Sequence, residues 1–237
     1  MKFIPSLAIL AALVAWEPVT ASVRAVDEDG VAVAILYDTS GSMKDPVRNA
    51  TGGSSPKYVI ANRALIAIAR QIQAFATNAA TGTPRKIQAG LFIFDGDSAR
   101  EAVKFGPFDA AALEDWAKHF SKPSGNTPLG NSLIVAARAV MASPLARKHV
   151  LVITDGANTA GPPPAAVLPR LKQQAEQKHS GLSVHFVAFD VDAKVFDAVK
   201  KQGATVVAAS DEKQLDTQLQ FILQKKILLE EEEPLKK

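Results

Sequence analysis

The 237-residue chain contains no cysteine, so no disulfide bond can stabilise it. A chain of this length can still bury a core large enough to fold without one. Aromatic residues are also few, with two Trp and two Tyr, and lysines and arginines never occur in runs longer than two. Nucleic-acid surfaces combine clustered basic charge with aromatic side chains for stacking. The dispersed net charge of +3 therefore predicts no nucleic-acid partner.

Long apolar runs are scarce as well. The apolar run Ile4 to Trp16 is too short to span a bilayer, follows Lys2 and precedes the small residues Val19-Thr20-Ala21. This order is typical of a secretory signal peptide and predicts one at residues 1–21, with Val23-Arg24-Ala25 as a second candidate for the cleavage site. An uncleaved anchor or a buried strand are the alternatives. No later run is long enough to cross a membrane, so we expect no integral membrane span in the mature chain. A signal peptide on a chain without cysteine favours a secreted or periplasmic location in bacteria.

After a linker at residues 22–30, apolar strands alternate with segments of helical periodicity. The predicted strands include Val31–Tyr37, Ile87–Phe94, Val150–Ile153 and Leu182–Phe189. This alternation predicts an α/β domain over residues 31–229, with a doubly wound, mostly parallel sheet and helices on both faces. We expect a polar loop at residues 44–56, a helix from about Pro169 to Gly181, and a charged tail at residues 230–237.

A carboxylate and two hydroxyls follow the first predicted strand. The sequence there is Asp38-Thr39-Ser40-Gly41-Ser42, and Gly41 permits a turn tight enough for Asp38, Ser40 and Ser42 to converge. Hard oxygen donors that converge at the end of a strand suit a divalent cation such as Mg²⁺. The alternative is a polar turn in which Asp38 and Ser40 only bind backbone groups.

Two further segments are expected at the same edge of the sheet. Asp155 follows the strand Val150–Ile153, and Thr127 lies in the segment Ser124-Gly-Asn-Thr-Pro-Leu-Gly130. Thr127 alone could be read as a helix N-cap before Pro128, which needs no metal. In a doubly wound sheet, ligands bind at the carboxyl ends of the strands. If the strands ending at Asp38 and Asp155 are neighbours, their loops therefore face one crevice.

Together these pieces resemble the von Willebrand factor type A domain family. The resemblance rests on the Asp-Thr-Ser-Gly-Ser-Met, Thr-Pro-Leu-Gly and Thr-Asp-Gly segments in this order. It covers roughly residues 28–228, and the sequence around Thr127 is most similar to that of bacterial, secreted members. It implies a metal-ion-dependent adhesion site. Ser40, Ser42 and Thr127 would then approach the metal through their hydroxyls, whereas Asp38 and Asp155 would hold its coordinated waters.

A cation held mainly by neutral hydroxyls keeps much of its charge. Mg²⁺, or Mn²⁺ or Ca²⁺ in its place, retains several waters, and a carboxylate can displace one of them. The sequence thus predicts a metal-dependent domain that captures an Asp or Glu of a partner protein. The polar segment 44–56 departs from the family pattern and could lengthen the rim of this site.

A metal-dependent hydrolase or phosphatase on an α/β fold is the alternative. A phosphatase of the haloacid-dehalogenase type needs a second Asp where Ser40 stands, and neither a nucleophile elbow nor a phosphate-binding loop is present. The histidines at 119, 149, 179 and 185 are not spaced as metal ligands, and we expect the first three to be solvated. We therefore predict no enzyme, with no catalytic or organic-cofactor residues. A third possibility is a structural domain with a silent metal site.

Overall fold

The structure, a computed structural model, describes residues 28–77 and 85–229. Its strands are β1 (Glu28–Tyr37), β2 (Pro46–Arg48), β3 (Ser54–Pro56), β4 (Ile87–Asp95), β5 (Ser98–Pro107), β6 (Leu145–Thr154), β7 (Ser183–Phe189) and β8 (Thr205–Ala209). Its helices are α1 (Lys57–Thr77), α2 (Ala110–His119), α3 (Leu129–Met141), α4 (Pro164–Gln177), α5 (Asp197–Lys200) and α6 (Glu212–Ile222). The predicted signal peptide, residues 22–27 of the linker and the charged tail lie outside the described residues.

The main sheet has the strand order β5-β4-β1-β6-β7-β8. All pairs are parallel except β4 with β5, which form an antiparallel hairpin at one edge. From β1 the chain winds outward through β4 and β5, then crosses back to β6 and continues through β7 to β8. The direction of winding therefore changes between β1 and β6, where ligands bind in sheets of this kind. The predicted doubly wound, mostly parallel architecture is confirmed.

The core lies in two layers, one on each face of the sheet. Along β1, Val31, Val33, Ile35 and Tyr37 pack against α1, α2 and α6, whereas Ala32, Ala34 and Leu36 pack against α3 and α4. Successive strand residues point to opposite faces, so a strand covered on both sides needs an unbroken apolar run. At the centre of the sheet, β1 meets this requirement over Val31–Tyr37 and β6 over Val150–Ile153.

Two predictions about local structure were wrong. The segment predicted as a polar loop contains β2 and β3, which pair as a small antiparallel ribbon. Helix α4 begins at Pro164 and ends at Gln177, with Pro169 inside it. Proline lacks the N–H that would bond to the carbonyl of Ala165, but Nε2 of Gln202 donates to that oxygen instead (2.9 Å). The proline is thus accommodated by Gln202, which follows α5 and is distant in sequence, so no local pattern indicates this contact.

The cap of α2 follows the expected chemistry. Asp109 precedes the helix and accepts a hydrogen bond from the N–H of Ala112 (3.0 Å).

Among the described residues, no helix is both long and apolar enough to cross a membrane.

Candidate metal centre

The first two site segments meet at the point where the sheet changes its winding direction. β1 and β6 are parallel neighbours, with Tyr37 opposite Ile153, so Asp38 and Asp155 follow the ends of adjacent strands. The N–H of Asp38 continues the ladder by donating to the carbonyl of Ile153 (3.0 Å). The condition under which the loops after these two strands face one crevice is therefore met.

Three side chains from the two segments form a hydrogen-bonded chain. The Ser42 hydroxyl donates to Oδ1 of Asp155 (2.8 Å), and the two hydroxyl oxygens of Ser40 and Ser42 are 3.2 Å apart. Ser40 and Asp155 are buried, while Ser42 is exposed at the surface of the crevice. Ser42 lies in the short helical turn Gly41–Lys44, which begins four residues after the end of β1. Oxygen donors thus line the crevice from its floor to solvent.

The carboxylate of Asp38 lies at the bottom of the crevice and is fully buried. Its Oδ1 accepts the N–H of Ser40 (2.8 Å), and its Oδ2 accepts the hydroxyl of Thr154 (2.6 Å). Burial raises the pKa of Asp38 to about 6, and the negative charge of Asp155 adds to the effect. A divalent cation in the crevice would favour the charged form of this carboxylate, because its positive charge attracts the negative carboxylate.

The third segment is joined to the first by backbone hydrogen bonds. The N–H of Ser124 donates to the carbonyl of Thr39 (2.7 Å), and that of Gly41 donates to the carbonyl of Gly125 (3.2 Å). Thr127 is buried, and its Oγ1 would be 3.9 Å from a methyl group placed on Gly156, the residue after Asp155. The structure therefore brings all three predicted segments to one place.

The N-cap interpretation of Thr127 is wrong. Helix α3 begins at Leu129, and the N-cap residue is Pro128, whose side chain makes no hydrogen bond to the helix. Thr127 is instead connected to the loop after β6, since its carbonyl accepts the N–H of Thr159 (3.0 Å) and its own N–H donates to the Thr159 hydroxyl (2.8 Å). The Thr127 hydroxyl is therefore not used by the helix.

The start of α3 packs tightly against the loop that follows Asp155. A Cβ atom on Gly130 would lie 2.0 Å from the carbonyl oxygen of Pro162, so only glycine permits this approach. The N–H of Gly130 also donates to Oδ1 of Asn158 (3.3 Å). Gly130 thus holds the Thr127 and Asp155 loops together from outside the oxygen cluster.

A lysine that sequence reasoning did not identify completes the site. Nζ of Lys57, the first residue of α1, lies 3.1 Å from Oδ2 of Asp155 and 3.1 Å from Oδ2 of Asp190. Burial would lower the pKa of Lys57, but the hydrogen bonds and charges of the two carboxylates outweigh it, so this pKa is raised. Asp155 and Asp190 are far from Lys57 in the sequence, and no local pattern signals their contact.

The donor set fits a hard divalent cation. Within residues 28–77 and 85–229, no group of three or more His, Cys, Asp or Glu side chains is placed to hold a metal ion. Any metal in this crevice would therefore depend on the hydroxyls of Ser40, Ser42 and Thr127, with Asp38 and Asp155 beside them. Oxygen donors of this kind suit Mg²⁺, Mn²⁺ or Ca²⁺, which are bound through oxygens and retained waters.

A model of the von Willebrand factor type A domain matches residues 32–222. Because the match covers most of the chain, this protein belongs to the von Willebrand factor type A domain family. Comparison with curated protein sequences gives no match.

Solved structures with this fold include bacterial and animal proteins. A mutant of the PilB minor pilin from Streptococcus sanguinis is 15% identical, with 87% of this chain and 62% of the pilin covered at a TM-score of 0.59. The vWF domain of the type V pili tip protein Mfa5 from Porphyromonas gingivalis is 13% identical, with 83% and 94% covered at 0.58. Proximal thread matrix protein 1 from the mussel byssus, with a zinc-occupied MIDAS (metal-ion-dependent adhesion site) motif, is 16% identical. The match covers 83% of this chain and 48% of the mussel protein at a TM-score of 0.55. The chain thus spans less than two thirds of the pilin and mussel proteins, and these likenesses establish the fold.

Proposed function

We propose that this protein is a metal-dependent protein-binding domain that captures an Asp or Glu of a partner through a divalent cation. The observation that supports this function is the convergence of three hydroxyls and two carboxylates at the crevice between β1 and β6. Ser40, Ser42 and Thr127 would hold the cation, and Asp38 and Asp155 would bind its waters. Since the hydroxyls are neutral, a carboxylate from outside would complete the charge balance.

Calorimetric titration of Mg²⁺, Mn²⁺ and Ca²⁺ into the protein tests the metal site. We expect one cation per chain, and Ser42→Ala should weaken its affinity by roughly tenfold or more, because a donor is lost. Asp97→Asn is the matched control, since Asp97 is an exposed carboxylate in the turn between β4 and β5. Absence of any metal-dependent heat in the parent protein would contradict the proposal. Zn²⁺ belongs in the same series because of the zinc-occupied mussel structure.

The partner is tested in a second step. Proteins retained from an envelope extract in Mg²⁺ but released by EDTA are the candidates. For each one, changing the contacting Asp or Glu to its amide should abolish binding, because the amide cannot neutralise the cation. Equal affinity in Mg²⁺ and in EDTA would refute capture through a metal.

We propose binding rather than catalysis at this site. The buried histidines, His149 and His185, lie along β6 and β7 rather than at the strand ends that form the crevice. The expected solvation of His149 is wrong, since this residue is buried within the sheet. Asp38 is held by Ser40 and Thr154, and no second carboxylate stands two residues after it, as a phosphatase of the type considered above requires. Metal-dependent release of phosphate from p-nitrophenyl phosphate, lost in Asp38→Asn, would favour the hydrolase instead.

We propose secretion to the bacterial periplasm or exterior, supported by the N-terminal apolar segment and the absence of cysteine. Sequencing the N-terminus of protein purified from cells should show a chain that begins at residue 22. A chain that retains residues 1–21 would contradict cleavage at this position.

A further inference from the structure

Lys57 provides a positive charge inside the candidate metal centre. Its side chain is 7% exposed, the Asp155 side chain is 0% exposed, and their charged atoms are 3.1 Å apart. A buried charge is costly unless a partner neutralises it. Lys57 and Asp155 therefore stabilise each other in the protein without metal.

The contact uses only one side of the Asp155 carboxylate. Oδ2 faces Lys57, while Oδ1 accepts the Ser42 hydroxyl in the crevice. Lys57 also forms a second ion pair, because the exposed carboxylate of Asp190, directly after β7, lies 3.1 Å from its Nζ. The Ser42 side of Asp155 thus stays available to a cation while Lys57 remains in place.

We propose that Lys57 is a resident cation of this site: it neutralises Asp155 when no metal is bound, and its charge lowers the affinity for a divalent cation. This inference rests on the proposed function, since it concerns the same metal. Two cations that share one carboxylate repel each other, and burial strengthens the repulsion because little water screens it. The domain can then remain folded without metal, and it binds metal more weakly than its oxygen donors alone would allow.

Mn²⁺ titration of the full chain and of Lys57→Met tests the proposal. We expect the variant to bind Mn²⁺ roughly tenfold more tightly or better, since Asp155 then offers its whole charge to the metal. In EDTA its Tm should fall, because Asp155 is left buried without a counter-charge, and Mn²⁺ should raise this Tm by more than that of the parent. A role in packing alone would lower the Tm without tightening the binding of metal.

Two controls separate local charge from other effects. Lys57→Arg keeps the charge and should leave the Mn²⁺ affinity within about threefold of the parent. Lys44→Met removes an exposed lysine from the same rim, where salt and water screen its charge, and should change the affinity by less than about threefold.

Asp190→Asn provides an independent test if Lys57→Met does not fold. Asn is compatible with the left-handed backbone of this residue (φ 54°). The substitution leaves the Lys57 charge on Asp155 alone and should weaken Mn²⁺ binding roughly threefold or more. If the parent binds Mn²⁺ but folded Lys57→Met binds it no more tightly, or Asp190→Asn binds it as tightly as the parent, the resident-cation proposal fails and the metal site stands. If none of the variants or the parent binds Mn²⁺, the proposed function itself fails.

Discussion

His149 on β6 and His185 on β7 form a buried pair whose protonation should control the stability of this protein in mild acid. Nδ1 of His149 is 3.3 Å from Nε2 of His185, and the rings are stacked with centroids 5.5 Å apart. Burial lowers the pKa of His149 to about 3, helped by the charges of His185 and Arg147. Burial likewise lowers the pKa of His185 to about 4, helped by Lys226. Both rings are therefore neutral in the folded protein at mildly acidic pH.

The sign and size of the effect follow from these pKa values. An unfolded histidine has a pKa of about 6.5, so below that pH the unfolded chain takes up protons that the folded protein does not. The stability is fully present above about pH 6.5 and is lost as the pH falls toward the folded values. At about pH 5, the pH is about 1.5 units below the pKa of each histidine in the unfolded chain. Protonation of the unfolded chain then destabilises the fold by about 2 kcal/mol per histidine and about 4 kcal/mol for the pair.

Urea unfolding in EDTA at about pH 7.5 and about pH 5 measures this loss. The double variant His149→Gln/His185→Gln cannot titrate there, so the parent should lose about 4 kcal/mol more than the variant between the two pH values. Comparing the two losses cancels other groups that titrate in this range, including Asp38. His179→Asn, at an exposed residue with left-handed backbone (φ 57°), is the control and should behave as the parent. Equal losses in parent and double variant, or NMR shifts that show the ring of His149 or His185 charged at about pH 5 in the folded parent, would refute the reasoning.

Two further predictions concern the surroundings of the site. Gly130→Ala should destabilise the fold by about 1–3 kcal/mol in urea unfolding and weaken Mn²⁺ binding, because its Cβ would meet the carbonyl of Pro162. Gly106→Ala, whose Cβ would meet nothing within 4 Å, is its control, and equal effects would contradict the steric explanation. Tyr37→Phe should cost about 1–2 kcal/mol, since its buried hydroxyl donates to Oδ1 of Asn62 (2.7 Å). An unchanged urea midpoint would show that this acceptor finds another donor.

The central strands were predictable because their signal is local. An unbroken apolar run such as Val31–Tyr37 can be stable only where both faces are covered, which places it inside a parallel sheet. Alternation of strands with helices then predicts a doubly wound sheet with right-handed crossovers. The sequence left open which strands are neighbours, and the structure shows that β1 and β6 are. The ribbon formed by β2 and β3 was missed because three-residue strands in a polar segment leave no periodic pattern.

The start of α4 was missed for a different reason. Pro169 indicates a helix boundary when only its neighbours are considered, because it removes a hydrogen bond from the helix interior. The structure satisfies the freed carbonyl of Ala165 through Gln202, which lies 37 residues away in sequence. Contacts over such distances depend on how α4 and α5 pack, so the local sequence carries no sign of them.

The sequence by itself determined the oxygen donors of the candidate site and the edge of the sheet at which they lie. Asp38, Ser40 and Ser42 follow a strand that must be buried, and they lie within five residues of one another. Only the tertiary structure decided which charges meet these donors. Lys57, the first residue of α1, reaches Asp155 and Asp190, which follow β6 and β7, and His149 meets His185 because β6 and β7 pair. These contacts are between residues that are distant in sequence, and burial gives them their strength, so neither could be read from a local pattern.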